Sequence, residues 1–309
     1  MDRISLLPDE LLLKILSSLP STKHVVATMV LSKRWQPLWM MVPKLVSDFG
    51  DIPLWTRAAE KHSLRELVID IDSSSSASPA LLPRSLYTEC RMLVRLKLDA
   101  VILVDVASPV SFPTLKCMTL YSVKYPGDEF VKRFLSNCPV LERLDVDQCP
   151  GDNVTVFTAR VPSLKRLYLH KSTDADLDDA EGFVIDAPSL KYLGITDTTG
   201  GFCVIENEMP NIVKADVDVG YESFSKMLGS ITSVKRLDLC LLSSKDLYPV
   251  GSVFHRLIHL KICTCEPEWL NLCMCLLRDS PKLQSLELEQ CHDLPARPRP
   301  CWIDTKLSP

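Results

Sequence analysis

Twelve cysteines and six histidines are the side chains of this 309-residue chain best equipped to ligate metals or attack a substrate. Cys263-x-Cys265 and Cys273-x-Cys275 are its tight thiol pairs. A structural zinc site calls for two-residue gaps and a second ligand pair, whereas a one-residue gap on a strand turns both thiols to one face. No metal and no cofactor is expected. His24, His62, His170, His255, His259 and His292 stand without an acid or thiol at catalytic spacing, and His170 and His259 read as solvent-facing strand residues. A Gly-rich phosphate loop, a nucleophile elbow and a His-Glu-x-x-His pair are all absent from the sequence. The acidic run from Asp174 to Glu181 lacks the glycine and final glutamate of a calcium loop and reads as a solvated insertion. No catalytic residue is assigned, and the chain is not expected to be an enzyme.

Composition narrows the partners. Lys plus Arg number 35 against 39 Asp plus Glu, a formal charge of −4, which is the wrong balance for neutralising many phosphates. Nucleic acid is therefore not an expected partner. No run approaches the eighteen or so apolar residues that a spanning helix needs, and the N-terminus shows no basic, apolar and small-residue export pattern. The expectation is a chain outside the membrane, in the cytoplasm and/or nucleus, with reduced thiols. The sequon Asn153-Val154-Thr155 is then chemically idle.

The elements that position everything else begin with a helical module. Positions 8, 11, 12, 15, 16 and 19 give the three-and-four spacing of a helix face, entered at Pro8 and ended by Pro20. Val25, Val26, Met29 and Val30 stripe a second helix, and Ser32 can cap a third that carries Trp35, Leu38 and Trp39. Three short helices cannot hide this many large apolar groups, so some of them need a partner.

The pattern Leu7-Pro8-x-Glu10-Leu11, Ile15-Leu16-x-x-Leu19-Pro20, Val25-Val26 and Val30-Leu31-Ser32-Lys33-Arg34-Trp35-x-x-Leu38-Trp39 closely resembles the F-box in its plant form. The resemblance implies binding to the Skp-type adaptor of an SCF cullin-RING ubiquitin ligase. It maps the docking face onto Leu7, Pro8, Leu11, Ile15, Leu16, Leu19, Val25, Val26, Leu31 and Trp35. Several of these must also hold the helices together, and spacing alone does not separate the two roles.

Behind this module the sequence repeats. Leu-x-x-Leu-x-Leu units start at Leu64, Leu93, Leu115, Leu141, Leu164, Leu190, Ile212, Val234, Leu257 and Leu283, with spacings of 22 to 29 residues. That period belongs to leucine-rich repeats. Each unit predicts a short parallel strand and a return, because a strand with one apolar face can bury it only by stacking on neighbouring units. Returns over Ser78 to Met92, Asp128 to Asn137, Tyr221 to Gly229 and Pro267 to Asp279 read as helical, and Val154 to Val161 and Phe202 to Ile205 as extended. Cys149, Cys265 and Cys291 fall three places after the last anchor of their units, where the repeat takes Asn or Cys, a structural role. Ser73 to Ser78 reads as a surface loop.

Third positions of the units are Glu66, Arg95, Cys117, Arg143, Arg166, Tyr192, Lys214, Arg236, His259 and Ser285, and seventh positions are mostly acidic. These columns face solvent and partly neutralise one another. Because Arg and Tyr dominate binding hot spots, Arg143, Arg166, Tyr168, Tyr192 and Arg236 are the candidate anchors for a target protein.

The repeat segment resembles the plant F-box/FBD/LRR family, and Cys265-Glu266-Pro267-Glu268-Trp269-Leu270 resembles the opening of its FBD domain. The expected fold class is α/β: a small three-helix F-box over 1–47, then an irregular leucine-rich-repeat solenoid with a curved parallel sheet over 60–290. A truncated FBD opening over 265–302 and a divergent tail over 303–309 complete the expected organisation. Two functional classes follow: a non-catalytic ligase subunit that recruits a target for ubiquitination, with cullin and RING subunits reached through the adaptor, or a non-degradative scaffold or truncated, non-functional family member.

Overall fold

In a computed structural model of the chain, the residues described are 4–20, 22–38, 41–42, 44–47, 64–70, 80–84, 86, 90–105, 110–171, 181–197, 199–220, 224–241, 248, 252–265 and 269–290. Ser73 to Ser78, the acidic run before Glu181 and everything after residue 290, including Cys291 and the last part of the expected FBD segment, lie outside them.

The first helix, α1, spans Asp9–Ser17 behind Pro8, and Asp9 and Glu10 in its first turn complement the helix dipole. α2, Thr22–Ala27, runs into a 3-10 turn over Thr28–Val30, and α3 spans Trp35–Leu38. Leu12, Leu16, Val25, Trp35, Leu38 and Val42 make a compact core of their own, with Leu7, Leu13 and Leu19 packed at its margin.

The rest is one eleven-stranded parallel sheet with returns on its apolar side. Its strands in spatial order are β1 (Lys44–Ser47), β2 (Glu66–Asp70), β4 (Arg95–Asp99), β6 (Cys117–Tyr121), β7 (Arg143–Gln148) and β9 (Arg166–Lys171). They continue through β11 (Tyr192–Asp197), β13 (Lys214–Val219), β14 (Arg236–Leu241), β15 (His259–Cys263) and β16 (Ser285–Glu289). The register aligns the third-position residues from Glu66 to Ser285 in a single row. Every apolar anchor from Leu64 to Ile262 is at most 3% exposed, which is the stacking that the repeat spacing requires. The arrangement is that of a leucine-rich-repeat solenoid, mixed α/β with few helices.

Helical returns occur at Asp128–Ser136, Phe224–Ser230 and Trp269–Arg278. The first buries Phe130, Val131, Phe134 and Leu135, and Asp128 fastens it by accepting the Thr155 and Val156 N–H groups at 2.9 and 3.1 Å. The extended returns form a second sheet of β12 (Phe202–Ile205), β10 (Gly182–Asp186) and β8 (Val156–Arg160). Two features differ from the sequence expectation. Ala80–Leu81 (β3), placed in a helical return, is a short strand paired with Val101–Ile102 (β5). The large sheet also starts earlier than the first repeat, because β1 pairs with β2 directly after the helical module.

Candidate functional site

Two surfaces could carry function. On the helical module, the alternation of α1 side chains decides which face is spent on the fold. Leu12 and Leu16 are i and i+4 on one face and fully buried, whereas Leu11 and Ile15, one position earlier, are 44% and 39% exposed. The ten residues expected to dock a partner therefore divide. Leu16, Val25 and Trp35 are core, because removing them from water is what holds three short helices together. Leu7 and Leu19 line the core margin, and Val26 packs against the core of the repeats. Pro8, Leu11, Ile15 and Leu31 remain open to solvent. Sequence reasoning missed Ile4, Leu6 and Val30 as exposed apolar groups, of which Leu6 and Val30 are 78% and 87% exposed. The Arg34 to Asp9 ion pair, 2.6 Å, ties the start of α1 to the start of α3.

The second surface is the polar face of the sheet. Arg143 donates through Nε to Asp145 Oδ2 at 2.8 Å, and the Asp145 carboxylate beneath it is only 10% exposed. Asp238 is held in the same way by Arg236 at 3.2 Å, with Lys214 Nζ a second cation at 3.0 Å. These pairs neutralise the acidic residues that share the strand. Between them the arginines stack on tyrosines: Arg143 over Tyr168 at 5.6 Å and Arg166 over Tyr192 at 5.0 Å, each a cation–π contact across neighbouring strands. Tyr168 lies across Gly194, whose missing Cβ leaves room for the ring: a Cβ there would stand 2.6 Å from Tyr168 Cδ1. The geometry brings Arg143, Arg166, Tyr168 and Tyr192 into one patch and leaves Arg236 beside Lys214 further along the sheet.

Two histidines expected to stand alone have partners that only the register reveals. His170 Nδ1 sits 2.7 Å from Asp147 Oδ1, its neighbour on β7, and His259 Nε2 lies 3.5 Å from Glu287 Oε1 on β16. Both remain side-chain pairs on the polar face of the sheet. Burial pushes the Cys138 thiol up to about 12 and raises those of Cys149, Cys203 and Cys273, so these thiols are poor nucleophiles. Among the described residues no three His, Cys, Asp or Glu converge as metal ligands, and no helix is long and apolar enough to cross a membrane.

Residues 4–47 match the F-box domain, and residues 52–215 match the model described as FBD-associated F-box protein At5g56370, LRR repeats. The chain belongs to the FBD-associated F-box family. Curated relatives agree over almost its whole length. The putative FBD-associated F-box protein At5g50270 of Arabidopsis thaliana is 55% identical over 94% of this chain and 82% of its own length. The probable FBD-associated F-box protein At1g32375 of the same plant is 52% identical over all of this chain and 83% of the relative. An Arabidopsis F-box/FBD/LRR-repeat protein, At5g56420, is 43% identical over 99% of the chain and 81% of the relative. F-box proteins with leucine-rich repeats generally act as non-catalytic adaptors, and F-box domains typically bind Skp-type partners.

Proposed function

We propose that this F-box protein is a substrate-recognition subunit of an SCF-type ubiquitin ligase: its helical module docks on a Skp-type adaptor and its sheet face captures a target protein. The observation that carries the reading is that the module keeps large apolar groups in water after its core is complete. Leu6, Leu11, Ile15, Val30 and Leu31 stand outside the cluster built on Leu12, Leu16, Val25 and Trp35. Burying such a side chain is worth about 1.5–3 kcal/mol before the costs of association, so a few of them suffice for a specific complex. Cullin and RING subunits then join through the adaptor and supply the chemistry of ubiquitin transfer.

On the repeats, Arg143, Arg166, Tyr168, Tyr192 and Arg236 remain the proposed target contacts, with a changed ranking. Arg143 and Arg236 already serve Asp145 and Asp238, so a partner's carboxylate must compete for them. Tyr168, 42% exposed, and the stacked Arg166 and Tyr192 offer a preorganised amphipathic patch at little cost in side-chain entropy. Joining both surfaces in one chain raises the effective concentration of the target beside the ligase.

The test is affinity capture with the wild type, with Leu11→Asp/Leu31→Asp and with Arg166→Ala/Tyr168→Ala. The first variant should lose the adaptor and keep the target, and the second should do the reverse. Target accumulation on deletion of the gene separates a ligase receptor from a scaffold that only binds; unchanged target levels together with intact adaptor binding would favour the scaffold.

A further inference from the structure

The same short motif, Cys-x-Cys, occurs twice within thirteen residues, once at the end of a strand and once on a helix. Backbone geometry makes the two pairs chemically unlike. Residues i and i+2 of an extended chain point to one side, whereas on an α-helix i and i+2 do not face each other. Cys263 closes β15 and Cys265 lies two residues on, and their Sγ atoms are 3.0 Å apart. That is about 1 Å beyond the length of a covalent S–S bond. Cys273 and Cys275 sit on the Trp269–Arg278 helix, the first buried and the second half-buried, with the helix backbone between them.

We propose that Cys263 and Cys265 are a dithiol modification site, oxidised by hydroperoxides to a disulfide across one intervening residue. Cys265 is the half-exposed member and meets the oxidant, and Cys263 is buried against it and resolves the product. In the first step the Cys265 sulfur, having released its proton to solvent, attacks one peroxide oxygen. The O–O bond breaks, the departing oxygen takes up a proton as water, and Cys265 becomes a sulfenic acid. In the second step the Cys263 sulfur attacks the Cys265 sulfur, the S–O bond breaks, and the Cys263 proton leaves with the hydroxyl as a second water. Two thiols lose two hydrogens and one hydrogen peroxide becomes two waters.

Access and anchoring favour this pair over the thiols that burial raises. Burial raises Cys138, Cys149, Cys203 and Cys273, which slows their attack on any oxidant. The strand end that carries the pair is held in place, since the Thr264 N–H between the two cysteines donates to the Glu289 carbonyl of β16 at 2.8 Å. The two sulfurs are thus presented by paired backbone. The proposal does not depend on the ligase reading.

The experiment exposes the full-length native protein briefly to hydrogen peroxide, quenches, unfolds, blocks remaining thiols with N-ethylmaleimide and maps peptides by mass spectrometry. The expected result is a peptide containing Cys263 and Cys265 that has lost two hydrogens, resists blocking and regains both sites with dithiothreitol, while the Cys273 and Cys275 peptide is blocked at both. Cys265→Ser, a near-isosteric change at a half-exposed site whose folding is checked by circular dichroism, should abolish the loss. Blocking of both Cys263 and Cys265 after peroxide, equal oxidation of both motifs, or a persistent two-hydrogen loss in Cys265→Ser would each overturn the assignment.

Discussion

Two glycines of the paired sheets should answer the same substitution differently, because what stands in front of the new methyl can move at one and not at the other. In Gly194→Ala on β11 the new methyl would stand 2.6 Å from Cδ1 and 3.1 Å from Cε1 of Tyr168. Carbon atoms settle at about 3.5–4.0 Å, so the ring must move by about 1 Å. It can, since Tyr168 is 42% exposed and swings toward solvent. The cost is the stacking under Arg143, about 0.5–1 kcal/mol at an exposed site. Against it stands about 0.4–1 kcal/mol from the reduced freedom of the unfolded chain. The two cancel, and stability should change by less than about 0.5 kcal/mol. In Gly182→Ala on β10 the methyl would meet the Phe202 carbonyl oxygen at 2.2 Å and its carbon at 2.9 Å. That carbonyl belongs to the paired strand β12 and cannot rotate away, so a loss of about 1–3 kcal/mol is expected. Urea unfolding followed by circular dichroism reads both variants. A Gly194→Ala that unfolds as early as Gly182→Ala, or a harmless Gly182→Ala, would refute the packing on which the exposed patch is built.

Other consequences follow from the same contacts. Arg143→Ala should destabilise by about 1 kcal/mol and Arg236→Ala by less, because Asp238 keeps Lys214 at 3.0 Å while no second cation is described beside Asp145; equal losses in thermal melts would contradict this. Trp35→Ala should cost about 3–5 kcal/mol and remove adaptor binding by unfolding the module, whereas Ile15→Ala should weaken binding with an unchanged melt. Arg278 and the Tyr248 hydroxyl hold the Asp279 carboxyl down at about 2. A carboxyl depressed in the folded state stabilises above its ordinary value and loses that contribution as pH falls toward about 2. The Trp269–Arg278 helix should therefore loosen between about pH 4 and 2, and Asp279→Asn should flatten that transition in an acid titration. Among the described strands hydrogen exchange should open β16 first, since its Leu286 and Leu288 are 40% and 51% exposed where the anchors from Leu64 to Ile262 are sealed; uniform protection along the sheet would count against this.

Much of this architecture was readable from residues alone, because a repeat imposes the same burial pattern at every turn. Leu64 to Ile262 fell on the apolar side of a parallel sheet as their spacing requires, and the β-branched returns at Val154 to Val161 and Phe202 to Ile205 became strands. What stayed hidden is what depends on neighbours distant in sequence. Lys44–Ser47 joins the sheet through β2, which no local pattern announces. His170 meets Asp147, and Gly194 makes room for Tyr168, only once the register is fixed. On the helical module, Leu11 and Leu12 are equally apolar in sequence, and only the placing of α2 and α3 decides that Leu12 is core and Leu11 is surface. The two Cys-x-Cys motifs carry the same lesson, since strand or helix decides whether the thiols meet.

The claim with most resting on it is that the apolar groups left outside the helical core are a docking face for a Skp-type adaptor. Titration calorimetry of the purified chain with that adaptor, for the wild type and for Leu11→Asp/Leu31→Asp, tests it directly. Two side chains worth about 1.5–3 kcal/mol each predict at least about a hundredfold loss of affinity with an unchanged melting temperature. A wild type that gives no binding heat at any temperature tried, or a double variant that binds as well as the wild type, would contradict it.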